Sequence, residues 1–370
     1  MLLPESWPMW LELLLRVVIV LLLITVVVLG LTYGERKFLA RMQRRLGPTR
    51  TGPMGLLQPI ADALKLMLKE DFLPGQSDRA VFWLAPLFVF VPAFLVWVTI
   101  PFTRDLVVRN LDLGLFYLVA ASGLSIVGIL MAGWGSSNKY AVLGAARAAA
   151  QLISYELPLV FGLLAIIMVS GTLNLADIVD EQHAIPYILI QPVAGLLFLL
   201  ASLAEVGRTP FDIPVAESEV MGGPFIEYSG IHWSMFFLAE YANTFAIAAL
   251  TTLLFLSGWQ GPVLPHLLWF VIKMSAVILL IFWIRASIPR FRIDQLMSLA
   301  WKLLLPLSFA NILLTGFYVF YDWPQWVSSL FNVAMLALAF FVVYRRNRLT
   351  IAQRPTVRLV QKGEKVAVPQ

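Results

Sequence analysis

The sequence predicts an all-α, polytopic integral membrane bundle of about nine transmembrane helices, with cytoplasmic-side amphipathic helices and an acidic loop. Three observations carry this. The 370 residues are 60% hydrophobic and only 13% charged, whereas soluble domains carry about a quarter charged residues. Apolar runs recur at lengths near 20 residues, about what a helix needs to cross the hydrocarbon core. Lysines and arginines gather in alternate connecting segments, as expected of inner loops.

The apolar runs place spans near 11–33, 81–100, 113–133, 146–171, 186–206, 233–257, 265–288, 301–321 and 326–344. Together they form one membrane domain over 1–344, followed by a basic cytoplasmic tail, 345–370. The ninth run, after Pro324, is short. The first stretch carries Glu5 and Glu12 rather than a basic region, so it does not read as a cleavable signal.

Orientation follows from the basic residues. Arg36, Lys37, Arg41, Arg44, Arg45, Arg50, Lys65, Lys69 and Arg79 follow the first span, and Lys139, Arg147, Arg208, Arg285, Arg290, Arg292 and Lys302 fall on the same side. With the tail, that side holds 23 of the 27 lysines and arginines. The expected topology is an outside amino terminus and an inside carboxyl terminus, in the cell inner (plasma) membrane. The net charge of +5 then reads as topology and contact with anionic lipid, not nucleic-acid binding. Internal repeats, common in transporter folds, are not evident.

Between the first two spans the texture changes. Gly47-Pro48-Thr49-Arg50-Thr51-Gly52-Pro53 cannot be a regular helix. Beyond it, Gln58, Asp62, Lys65 and Lys69 recur on one helical face and Leu57, Ile60, Leu64 and Leu68 on another. Such a helix suits the membrane surface. Simple cover for the bundle is the alternative.

There is no cysteine, so thiolate-held iron–sulfur clusters, disulfides and cysteine nucleophiles are excluded from this chain. His183, His232 and His266 lie far apart and off the span centres, which gives no bis-histidine haem site. No metal site, cofactor site or catalytic residue is expected in this chain.

A charge at the centre of a spanning helix costs about 2.5–3.5 kcal/mol on insertion scales. Glu156 sits near the middle of the fourth span. Glu240 lies about two turns into the sixth, Lys273 about two turns into the seventh, and Glu205 near the inner end of the fifth. Glu205 can reach the interface and Lys273 can snorkel; Glu156 has no such escape. Desolvation favours the neutral form of a carboxyl group, and a series of such acids joined by water is a proton path.

The inner loop between spans five and six carries Glu205, Arg208, Asp212, Glu217, Glu219 and Glu227, acidic on an otherwise basic side. An acidic loop is ordinarily a solvated surface. Here Phe211, Ile213, Val215, Val220, Met221, Phe225 and Ile226 interleave with the acids, which argues for partial burial and a protonatable cluster.

This loop carries a resemblance. Leu203-Ala-Glu-Val-Gly-Arg-Thr-Pro-Phe-Asp-Ile-Pro, Ala216-Glu-Ser-Glu and Glu227-Tyr-Ser-Gly resemble the membrane-embedded H subunit (NuoH type) of respiratory complex I, the proton-translocating NADH:quinone oxidoreductase. So do Tyr33-Gly-Glu-Arg-Lys, the Gly47 to Asp62 stretch, and Tyr140-Ala-Val-Leu-Gly with Arg147-Ala-Ala-Ala-Gln-Leu-Ile-Ser-Tyr-Glu. Phe237-Phe-Leu-Ala-Glu-Tyr-Ala-Asn and Arg285-Ala-Ser-Ile-Pro-Arg-Phe-Arg-Ile-Asp-Gln-Leu complete the set, in family order, from about residue 33 to 302.

The resemblance implies a subunit without a redox centre of its own, forming the membrane-side wall of a quinone chamber. Quinone is then the substrate. Flavin and iron–sulfur clusters belong to partner subunits, and other membrane-arm and peripheral-arm subunits are the expected partners. Glu156, Glu205, Asp212, Glu217, Glu219, Glu227 and Glu240 match acids of the proton relay. Glu35, Arg36, Arg50, Asp62, Arg208, Phe211, Arg285 and Arg292 match residues of the chamber and its approaches. Many members carry a glutamate where this chain has Val215, so a neighbour such as Glu217 or Asp212, or water, must substitute.

Rival readings stay open. Membrane-bound hydrogenases, formate hydrogenlyases and cofactor-F420-type dehydrogenases contain homologous subunits, which gene neighbours or co-purified proteins would reveal. A stand-alone ion transporter would also bury Glu156, Glu240 and Lys273. A scaffold that only anchors a peripheral arm is the blandest reading.

Overall fold

A computed structural model describes residues 9–183, 185–213 and 222–352. The acids Glu217 and Glu219, and Val215 with them, lie outside the described residues. Among the described residues the chain is helical and has no strand. Eight continuous helical runs among these residues are at least 18 residues long and apolar enough to cross a membrane, two of them (79–98 and 293–320) continuing through a 3-10 or π turn. This is an all-α, multi-pass membrane bundle.

The helices are α1 (Met9–Met42), α2 (Gln58–Leu68), α3 (Arg79–Leu95), α4 (Gly114–Gly135), α5 (Lys139–Ser170), α6 (Leu175–Glu181), α7 (Tyr187–Ile190), α8 (Pro192–Val206), α9 (Gly230–Phe255), α10 (His266–Ser287), α11 (Ile293–Leu299), α12 (Leu305–Phe320) and α13 (Gln325–Ala352). A π turn, Ala300–Leu304, joins α11 to α12.

Length sets what each helix can present. At 34 residues, α1 runs about 51 Å at 1.5 Å per residue, well beyond the roughly 30 Å hydrocarbon core. Leu14, Leu22 and Val26 on it are exposed, as a lipid-facing helix requires. Its later turns carry Glu35 and Arg36. The segment expected as a fifth span, 186–206, is instead two helices. Gln191, at φ −127° and ψ 58°, interrupts it, and Pro192 opens the 15-residue α8.

Small residues let the helices approach closely. A side chain on Gly128 would meet Val89 and Phe88, and one on Gly133 would meet Ala145 and the Ala141 carbonyl. Added at Gly144, a Cβ would stand 2.5 Å from the Gly223 Cα, so α5 and the end of the acidic loop touch backbone to backbone. Around these contacts pack Trp97, Tyr155, Phe198, Phe211 and Phe255, all fully buried.

The amphipathic α2 is held at both ends. Arg36 pairs with Asp62 at 2.6 Å, and Thr51 donates to Gln58, which in turn donates to Asp62. At the far end Ser229 bonds the backbone of Glu70, and Asp71 pairs with His232 on the first turn of α9. Ile60, Leu64 and Leu68 remain exposed, leaving an apolar face for the bilayer.

Candidate functional site: a buried charge cluster beside an inner cavity

Gly207, at φ +72°, closes α8 in the left-handed conformation that glycine adopts without strain. The turn after it drives Arg208 inward, where only 2% of its surface is exposed. Its Nη1 donates to Glu35 Oε2 at 2.9 Å. Its Nε lies 2.9 Å from Glu240 Oε1, an ion pair not aligned as a hydrogen bond. The guanidinium also sits 4.0 Å above the Tyr241 ring, an attractive cation–π geometry. Arg285, from α10, donates to the other oxygen of Glu35.

Four elements thus contribute two cations and two anions whose formal charges cancel. A buried charge is tolerable only when paired; here both cations are paired, with Glu35 held by hydrogen bonds from Arg208 and Arg285 and Glu240 by its ion pair with Arg208 alone. Burial alone would favour discharge of Arg208, but Glu240 and Glu35 outweigh it and lift its pKa above the ordinary arginine value. Arg208 is therefore a fixed positive charge.

Beside the cluster lies a cavity of about 280 Å³. Glu205, Asp212, Glu240, Arg285, Gln151 and Tyr241 line its polar side, while Trp233, Phe236 and Phe237 line its apolar side. Glu240 keeps 36% of its side-chain surface open, and that surface faces this cavity. A second cavity of about 80 Å³ shares Glu205, Val206, Ser125 and Asn243 with the first, which extends the polar wall between α4, α8 and α9. Burial lifts the Asp212 carboxyl above the usual aspartate range, against the pull of Arg285, Arg290 and Arg208. That acid is more readily protonated than a surface aspartate.

The remaining sequence-derived residues fall into separate groups. Glu156 packs toward Gly123, where an added Cβ would stand 3.3 Å from its Oε1, and its charge interacts with that of Glu205. Glu227 does not line either cavity; Asn138, which caps α5, donates to it at 2.7 Å. Phe211 is buried behind the cavity wall between Tyr155 and Phe291. Asp62 lies on the surface pair with Arg36. Burial pushes its carboxyl up, but the hydrogen bonds from Arg36 and Gln58, with the nearby charges of Arg36 and Lys65, hold it below the usual range. Arg50 and Arg292 are exposed, away from the cluster. Lys273 does not join the acids: its Nζ donates to the Leu256 and Gln260 carbonyls, each at 2.7 Å.

Sequence reading missed Gln151 and Tyr241. Buried Gln151 donates to the carbonyls of Ala204 and Phe211, both at 2.8 Å, and so ties α5 to the loop that carries Arg208 and Asp212. Both residues stand within motifs already singled out, but neither carries a charge to mark it. Among the described residues no group of three metal-ligating side chains is assembled.

A profile of the family described as NADH dehydrogenase matches residues 15–316. The chain is similar to the NADH-quinone oxidoreductase H subunit of Dehalococcoides mccartyi, 48% identical over 308 residues, covering 83% of this chain and 87% of the relative. It is 49% identical to the H subunit of Geobacillus kaustophilus over 321 residues, 84% of this chain and 96% of the relative. That of Bacillus cytotoxicus is 50% identical over 299 residues, 78% and 90% of the two chains. With most of its length matched by both the family profile and these relatives, the chain belongs to the NADH dehydrogenase family, among the H subunits of NADH-quinone oxidoreductases.

Proposed function

We propose that this chain forms the membrane side of the quinone-binding chamber in a proton-translocating NADH:quinone oxidoreductase, and that its buried carboxylates couple quinone reduction to proton translocation. The observation that carries the reading is the cavity wall on which Glu205, Asp212, Glu240 and Arg285 meet an apolar face of Trp233, Phe236 and Phe237. A long quinone has an apolar tail and a polar head group, and such a wall offers surface to both.

The chain binds no redox centre in this account. The electrons come from an iron–sulfur cluster in a peripheral-arm partner, and flavin belongs to that arm as well. Reduction of the quinone creates a local demand for protons and adds negative charge beside the acids. Arg208 and Arg285 keep Glu35 and Glu240 compensated. Glu205 has no cation against it in the described cluster, so it is the acid best poised to take up a proton. Its neighbour Glu156 offers the next step into the bundle. Moving one charge against 100 mV takes about 2.3 kcal/mol, so the electrostatic change on reduction must exceed that value. Glu217 and Glu219 belong to the same proposed relay, with Glu227 on its inner edge. Asp62, Arg36 and the apolar face of α2 would flank the tail's approach from the bilayer, with Arg50 and Arg292 outside the chamber proper. The amino terminus lies outside and the carboxyl terminus inside the cell inner membrane.

A photoreactive quinone analogue tests the chamber. In the assembled complex it should label peptides containing Trp233 to Tyr241 or Glu205 to Asp212, and excess natural quinone should suppress the labelling. Labelling confined to other parts of the chain, or unaffected by competing quinone, would remove the cavity from the quinone path.

A further inference from the structure

A second polar site lies at the other end of the bundle, where α7 breaks into α8. Gln191 at the break is fully buried; its Nε2 donates to Thr315 Oγ1 at 3.0 Å and to Ser328 Oγ at 3.4 Å. Asn332 on α13 donates to the Ser328 carbonyl at 3.0 Å and to the Ile190 carbonyl at 3.4 Å, which serves the freed end of α7. Asn311 stands one helical turn from Thr315 on the same face of α12, and it too is fully buried. Three helical elements therefore bring three amides into one apolar region, two or more turns from the carboxylate cavity.

These amides are not satisfied by protein. Gln191 Oε1, Asn332 Oδ1 and both Asn311 Oδ1 and Nδ2 have no hydrogen-bond partner among the described residues. An unmade hydrogen bond on a buried polar atom costs about 1–3 kcal/mol, and in a bilayer no solvent can drift in laterally to relieve it. Four such atoms on helices that pack together call for a ligand. Its chemistry follows from what is missing: three acceptor oxygens need a donor, and one amide NH2 group needs an acceptor. A metal cation could serve the oxygens but not Asn311 Nδ2. The cluster also holds no carboxylate to offset a cation's desolvation. Water both donates and accepts, and it binds internal sites with two to four polar partners.

We propose that the break between α7 and α8 is a hydration site, in which ordered water bridges Gln191, Asn311 and Asn332. Ser308, Asn311 and Thr315 share one buried stripe of α12, rising about 10 Å at 1.5 Å per residue. That stripe carries the polar seam from the break toward the middle of the bundle. The site stands whether or not the inner cavity binds quinone, because none of its residues lines that cavity.

The absence of cysteine makes the test direct. Asn311→Cys and Thr315→Cys are close in size to the residues they replace, and a thiol reacts as its thiolate, which needs water. In membranes carrying the assembled complex, N-ethylmaleimide should modify both at least tenfold faster than Ala165→Cys, a dry buried control on α5. An experimental map of the wild-type complex, sharp enough to show ordered water elsewhere in the bundle, should show density within hydrogen-bonding distance of the Asn311 amide. Density with unreactive cysteines marks a closed water site, and reactive cysteines without density mark mobile water; either supports the proposal. Cysteines no faster than the control together with a dry amide cluster overturn it, as does an ion coordinated by the amide oxygens alone.

Discussion

Arg208 is the residue on which the local architecture turns. It joins α1 through Glu35 to α9 through Glu240, from a loop 173 positions after Glu35. Replacing it with methionine leaves buried Glu35 and half-buried Glu240 short of a cation. Breaking a buried pair costs about 3–5 kcal/mol, so Arg208→Met should sharply reduce assembled complex, read as yield and melting temperature of purified membranes. Lysine should not restore it, since a single ammonium cannot reach both acids and stack on Tyr241 as the guanidinium does. A melting temperature equal to wild type for either variant would mean that the cluster contributes nothing to the fold. The sequence singled out Glu35, Arg208 and Arg285 as chamber residues and Glu240 as a relay acid. Their pairing was not legible, because partners so distant in sequence leave no spacing signal. Glu156 stands out in the sequence for the opposite reason: a lone acid amid apolar helix has an energetic cost that can be read without a structure.

At the scale of elements, hydropathy marked the long helices because each crossing needs a sustained apolar run. It passed over the break at Gln191, since Ile188-Leu189-Ile190 before it and Val193 onward after it are equally apolar. The dipeptide Gln191-Pro192 was the available signal: proline is disfavoured inside a helix and fits its first turn. The amphipathic α2 was legible from its two-faced periodicity, whereas its docking on α9 through Asp71 and His232 was not. Asp71 follows the end of α2, and His232 is the chain neighbour of Trp233 on the cavity wall, so the proposed path of an isoprenoid tail would run beside α2. Leu64→Gln, which makes the exposed face polar, should raise the KM for long-tailed quinone several-fold and leave the rate with a short-tailed, water-soluble quinone unchanged. An equal effect on both quinones would assign α2 a structural part only.

At the scale of the whole molecule, charge is distributed with a direction. In the proposed topology the inner side collects most lysines and arginines, and the acidic cavity opens toward that side, so anions there would face a basic rim. Reporter fusions give this asymmetry a direct check: a carboxyl-terminal reporter should be active only inside the cell and an amino-terminal one only outside. The reverse pattern would invert the proposed proton direction. The central claim is that Glu205 and Glu156, the acids without a fixed cation in the described cluster, accept protons when quinone is reduced beside them. The measurement that bears on it most directly is the proton-to-electron ratio of vesicles carrying the fully assembled Glu205→Gln or Glu156→Gln complex. Quinone reduction should continue in both, with a lowered ratio; an unchanged ratio at full assembly would contradict proton uptake by these acids.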